Sequence, residues 1–141
     1  MDIEHILEIL RINYPVLHRR VMEENLYFQQ TKEERICGAI SGKIEAFLKA
    51  TFPEWQNRFI YCSGKYVGNG TEHSGGSEGT YHCWVEIILP NNHDKIIIDG
   101  SYAQFYPSDI PQEEKERLRL RIFMPEEKEQ TWYKGHFDDD S

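Results

Sequence analysis

The sequence predicts an α+β fold: a helix packed against an antiparallel β-sheet. Three observations carry that expectation. Ile36, Ile40, Ile44, Phe47 and Leu48 recur at helical spacing. The runs Tyr81 to Leu89 and Lys95 to Asp99 are β-branched and aromatic, and the turn-forming string Pro90-Asn91-Asn92-His93-Asp94 joins them as a hairpin. Apolar residues make up 39% and aromatics 13% of the chain, enough to build a core.

The elements follow in chain order. Ile3, Ile6, Leu7, Ile9, Leu10 and Ile12, then Val16, Leu17 and Val21, suit one or two amphipathic helices within residues 3 to 28, broken near Tyr14-Pro15. Thr31-x-x-Glu34 has the form of a capping box, so the next helix is expected over about 32 to 50, ending before Pro53. Gly38 and Gly42 are poor helix formers by roughly 1 kcal/mol each, which points to close backbone approach or a later helix start. Arg58 to Cys62 reads as a short strand. Ser63 to Thr80, with Gly64, Gly68, Gly70, Gly75, Gly76 and Gly79, reads as a loop or a hairpin flanked by loops. After the hairpin, Pro111 to Leu118 reads as a short helix, Arg119 to Met124 as a strand and Pro125 to Tyr133 as helical. Asp138 to Ser141 is an acidic tail.

Composition narrows the function classes. A length of 141 residues suits one domain, 1–141. The net charge of −8 argues against nucleic acid and against anionic membrane surfaces, because both need a surplus of Lys and Arg. No apolar run approaches the ~20 residues of a membrane span. Met1 to His5 lacks the basic start and apolar stretch of a signal peptide, so a cytoplasmic location is expected, with delivery by a signal-independent route left open. The 3 cysteines Cys37, Cys62 and Cys83 cannot all pair within one chain and form no C-x-x-C spacing. Reduced thiols are therefore expected, with neither a metal nor an organic cofactor.

One thiol is a candidate for chemistry. Nucleophilic thiol catalysis needs a thiolate, an imidazole that takes and returns the proton, and a polar group that orients the second ring nitrogen. Cys37, His82 and Asp99 supply these in chain order. A helix N-terminus favours the thiolate through its partial positive charge. Cys37 lies in the first turns of its helix, although a start at the capping box sets it about two turns in and weakens that effect. Strand alternation places His82, Trp84, Glu86 and Ile88 on one face. If residue 89 pairs with 94 or with 92, Asp99 shares that face, directly opposite His82 or one diagonal neighbour away. An odd loop length sends it to the other face. Cys62 and Cys83 read as small core residues.

The string Tyr81-His82-Cys83-Trp84-Val85-Glu86-Ile87, followed by Ile96-Ile97-Ile98-Asp99-Gly100-Ser101-Tyr102-Ala103-Gln104-Phe105, resembles the His and Asp blocks of transglutaminase-like and papain-like cysteine enzymes. Ile36-Cys37-Gly38-Ala39-Ile40-Ser41 resembles their nucleophile block. The resemblance spans about residues 30 to 107, with a helical flank at 1–28. It implies a papain-like or transglutaminase-like core with Cys37 as nucleophile, His82 as general base and acid, and Asp99 as the orienting residue. Papain-type enzymes also place an oxyanion-hole glutamine shortly before the cysteine. Gln29 and Gln30 lie somewhat farther upstream, and Gln30 is the weak candidate; the Cys37 backbone N–H is the safer donor. Trp84 is expected to pack in the core rather than shield the ring, and Gln104 and Phe105 to be structural.

The expected reaction is attack by Cys37 on an amide or acyl carbonyl of a protein or peptide, forming a thioester that water or an amine resolves. Peptide hydrolysis and glutamine deamidation share that first step. A transamidating acyltransferase, or a binding module on the same fold, are the alternatives. Specificity falls to the glycine-rich loop and the two flanks. Oligomeric state has no signature in the sequence.

Overall fold

An apolar stripe continues across the proline expected to break the first helix. The computed structural model describes residues 1–24, 36–68, 80–107 and 109–135. In it α1 runs unbroken over Ile3–Glu24 with Pro15 inside. Its buried positions Ile6, Leu7, Leu10, Tyr14, His18 and Val21 fall three or four residues apart along one face. Proline within a helix costs about 3 kcal/mol through a lost hydrogen bond and a ring clash. Each large apolar side chain in the stripe returns about 1.5–3 kcal/mol on burial, so two or three of them offset the proline. The Tyr14 hydroxyl also donates to the Gly100 carbonyl, tying the helix beside Pro15 to the end of a strand.

The second helix, α2, spans Cys37–Thr51 rather than starting near 32. Ile36 is its N-cap, with φ −95° and ψ 10°, and among the described residues no side chain makes a capping hydrogen bond to it. The first helical bond runs from the Ile40 N–H to the Ile36 carbonyl at 2.9 Å. Burial of the Ile36 side chain, 1% exposed, fixes where the chain enters the helix. Thr31, Glu34 and Gln30 lie outside the described residues. Of the two readings of the glycines, the later helix start holds: a Cβ at Gly38 would make only ordinary contacts, 3.4 Å from the Tyr61 hydroxyl and 3.9 Å from Cys83 Sγ. Gly42 has open space around it.

Five antiparallel strands form one sheet: β1 Phe59–Tyr66, β2 Thr80–Ile88, β3 Lys95–Asp99, β4 Arg121–Phe123 and β5 Tyr133–Lys134, in the order β4-β3-β2-β1-β5. β1 is longer than its sequence suggests, because Ser63 to Tyr66 belong to it instead of opening a loop. Gly64 shows why a glycine stands there: an added Cβ would lie 2.3 Å from the Lys134 carbonyl oxygen and 2.5 Å from that of Gly135. The strand needs that position bare for β5 to approach. A short helix, α3, covers Gln112–Arg119. The stretch read as helical after Pro125 is only a 3₁₀ turn over Lys128–Trp132 leading into β5.

The sheet is buried on both sides, which explains the unbroken burial of His82 to Ile87. Phe59, Val85, Ile87, Ile96 and Ile98 face α1 and α2 in one cluster. Cys62, Tyr66, Trp84, Ile97, Phe123 and Tyr133 join Tyr102 and Phe105 in a second, mostly aromatic cluster. Among the described residues no helix is long and apolar enough to cross a membrane. The architecture is mixed α+β around an antiparallel sheet.

Candidate active site

Register decides which face carries Asp99. Val85 lies opposite Ile98 and Glu86 opposite Ile97, and the Leu89 N–H donates to the Asp94 carbonyl at 2.9 Å. This is the even-length case, with 89 against 94. Asp99 therefore shares the face of His82, Trp84 and Glu86 as a diagonal neighbour of His82.

The two side chains meet. Nε2 of His82 donates to Oδ2 of Asp99 at 2.7 Å, and both side chains are fully buried. In a neutral ring this leaves the lone pair on Nδ1, which has no hydrogen-bond partner among the described residues. Asp99 is held from three further directions. The Tyr133 hydroxyl donates to Oδ2 at 2.7 Å, the Ser101 N–H to Oδ1 at 3.0 Å and the Ser101 hydroxyl to Oδ1 at 3.4 Å. Burial pushes the Tyr133 hydroxyl well above the usual phenol range, and the neighbouring Asp99 carboxylate adds to this. Tyr133 therefore stays a donor.

Aromatic rings enclose the imidazole. Phe105 meets it edge-on with centroids 4.8 Å apart, Tyr66 lies at 6.1 Å, and Trp84 stacks at 6.3 Å with a 27° tilt. Trp84 is a core residue, 1% exposed, and it also walls the ring on one side. Its Nε1 donates to Glu86 Oε2 at 2.9 Å, and Lys95 Nζ meets the same oxygen at 3.0 Å. Phe105 packs in the core as expected; Gln104 is buried beside it.

Cys37 occupies a different setting. It is the first residue of α2 and half-buried. Alternation along β2 sends Cys83 toward the helices while His82 faces the aromatic cluster. The first turn of α2 accordingly lies against Cys83, with the Cβ site of Gly38 3.9 Å from its Sγ, and the opposite shifts of the two thiols are those of a shared hydrogen bond. Tyr61 also donates to Cys83 Sγ, at 3.1 Å. These donors, Cys37 foremost, hold the Cys83 thiol down to about 6 against its burial. The Cys37 thiol is pushed up by the same shared bond and by desolvation. No hydrogen bond joins Cys37 to His82 among the described residues.

Two members of the sequence-derived trio are therefore in contact, and the third is paired with a cysteine read as inert core. Cys62 is buried in the aromatic cluster, as expected. Alternation puts Cys83 and His82 on opposite faces but does not say which face α2 covers, so the Cys83 contact was not legible in the sequence. Tyr133 carried no signal either, because β5 reaches Asp99 from 34 residues away. The chain matches no protein-family model, no curated protein and no solved structure in comparison with each.

Proposed function

We propose that the protein is a thiol-dependent hydrolase acting on an amide or acyl carbonyl, with Cys37 as nucleophile, His82 as general base and acid, and Asp99 as the residue that orients the ring. The observation that carries this is the buried His82–Asp99 contact at 2.7 Å, which fixes the imidazole with Nδ1 uncommitted. Structural histidines usually satisfy both nitrogens when buried, and a base needs one free. The papain-like and transglutaminase-like resemblance of the three sequence blocks supports the same assignment.

In this mechanism Nδ1 takes the Cys37 proton as sulfur attacks the carbonyl carbon. The backbone N–H groups that open α2 have no helical acceptor and are suited to hold the developing oxyanion. The imidazolium returns its proton to the leaving amine, and a water activated by the same nitrogen hydrolyses the thioester. Asp99 keeps the ring in one tautomer throughout. A primary amine in place of water gives transamidation by the same first step. The substrate class is a protein or peptide, at a peptide bond or a glutamine side chain.

The chemistry requires the thiol to leave Cys83 and reach Nδ1. His82 is the third residue of β2 and Cys37 the first of α2, so the first turn of α2 is the part that must move. Catalytic contacts are commonly loose before substrate binds. Site-resolved alkylation with iodoacetamide between pH 5 and 9 tests the link, compared in wild type, His82→Ala and Cys83→Ser. Cys37 should lose most of its reactivity in His82→Ala and keep it in Cys83→Ser. Unchanged Cys37 labelling in folded His82→Ala would remove the imidazole from the mechanism.

A further inference from the structure

The acyl-transfer mechanism makes no use of Cys83, yet its surroundings are more elaborate than core packing needs. We propose that Cys37 and Cys83 are a redox pair that closes to an intramolecular disulfide when a peroxide reaches the start of α2. The claim about the bond stands on the placement of α2 against β2; its consequence, masking of the nucleophile, rests on the role proposed above for Cys37.

Three contacts bring the pair together. Cys37 is the first residue of α2, and the Cβ site of the next residue, Gly38, lies 3.9 Å from Cys83 Sγ. The same Cβ site is 3.4 Å from the Tyr61 hydroxyl, so the first turn of α2, this phenol and Cys83 meet at one place. The Tyr61 hydroxyl donates to Cys83 Sγ at 3.1 Å, and the Cys83 thiol donates to the Tyr81 hydroxyl at 3.6 Å. A donor such as Tyr61 stabilises sulfur as thiolate, the form that exchanges and oxidises. An S–S bond needs about 2.05 Å and a narrow dihedral range, so closure requires the first turn of α2 to adjust.

The asymmetry in burial assigns the order of events. Cys37 is half-buried and Cys83 is 1% exposed, so the peroxide meets Cys37. Cys37 passes its proton to the Cys83 sulfur and, now the thiolate, attacks one peroxide oxygen, breaking the O–O bond and releasing a hydroxide that takes that proton. The Cys83 thiolate then attacks the resulting sulfenic sulfur, forming S–S and expelling a second hydroxide. The two protons given up by the thiols convert both hydroxides to water. Two sulfurs are each oxidised by one electron, and the peroxide takes both.

The test uses the full chain, reduced, desalted and treated with a small excess of hydrogen peroxide. Intact mass under denaturing conditions should fall by ~2 Da, as loss of two hydrogens requires. Non-reducing peptide mapping should place the bond between Cys37 and Cys83, leave Cys62 alkylatable, and show full reversal with dithiothreitol. Tyr61→Phe should slow closure several-fold, because one donor to the Cys83 sulfur is lost. Cys62→Ser should close normally, so the result does not depend on substituting either partner. Sulfinic or sulfonic products at Cys37 with no bridge, a bridge through Cys62, or covalent dimers in place of the internal bond would overturn the proposal. Because the readout is mass and not turnover, failure of the bridge and failure of the acyl-transfer mechanism are separate outcomes.

Discussion

Removing one hydroxyl should show whether the carboxyl-terminal strand belongs to the site. In Tyr133→Phe the ring keeps its contacts, including those with Tyr66 at 5.2 Å and Trp84 at 5.1 Å, so no cavity opens. The loss is confined to the 2.7 Å bond to Asp99 Oδ2. A hydrogen bond to a charged group contributes about 1.5–3 kcal/mol. Asp99 retains His82 on the same oxygen and Ser101 on the other, so it is not orphaned, and the cost belongs at the lower end. For a chain of 141 residues the entropy of unfolding is ~0.3 kcal/mol per kelvin, so ~1.5 kcal/mol lowers Tm by about 5 °C. Circular dichroism melts and urea titration measure it directly. Under acyl transfer the same variant should also lose about tenfold in turnover, since the ring is less firmly oriented. A Tm within 1 °C of wild type, to an approximation set by ordinary surface substitutions of about ±0.5 kcal/mol, would refute the role given to Tyr133.

Three further outcomes are expected. Gly64→Ala should destabilise by about 3 kcal/mol or prevent β5 from docking, because its Cβ would collide with two backbone carbonyls that cannot rotate away; hydrogen exchange at residues 133 and 134 reads the undocking. Glu86→Ala should cost about 2–3 kcal/mol by stranding the Trp84 indole N–H and the Lys95 ammonium, while Glu86→Gln keeps an acceptor and should recover much of that in urea titration. Cys83 gives up its proton near pH 6, so the fraction of the thiol pair carrying one thiolate rises through that pH and is high at neutrality. Total thiol reactivity should therefore rise between pH 5 and 7, and Tyr61→Phe should move the rise to higher pH, as ultraviolet thiolate absorbance can follow.

Much of this architecture is legible in local pattern. The hairpin and most of the helix expected over about 32 to 50 follow from period, and parity permits the shared face of His82 and Asp99, which the pairing of 89 with 94 selects. What the sequence concealed has non-local causes. Pro15 reads as a break, yet the stripe Ile6 to Val21 gains more on burial than the proline costs. Ser63-Gly64-Lys65 reads as loop until β5 is known to press on Gly64. The start of α2 is set by the buried Ile36 rather than by a polar cap, so the Thr31 signal misplaces it. Within the site, His82 with Asp99 was open to inspection. The partnership of Cys37 with Cys83 depends on which sheet face α2 covers, a fact that periodicity leaves unassigned.

The most direct test of Cys37 as a nucleophile served by His82 is to follow the acyl-enzyme itself. With p-nitrophenyl acetate as probe, quench and intact mass should show a ~42 Da acetyl adduct, the increment for acetyl replacing hydrogen on a nucleophile. Peptide mapping should place it on Cys37. The adduct should turn over in wild type and in Cys83→Ser but persist in His82→Ala, where no base activates the deacylating water. An adduct on Cys83, or deacylation at the wild-type rate in folded His82→Ala, would contradict the assignment.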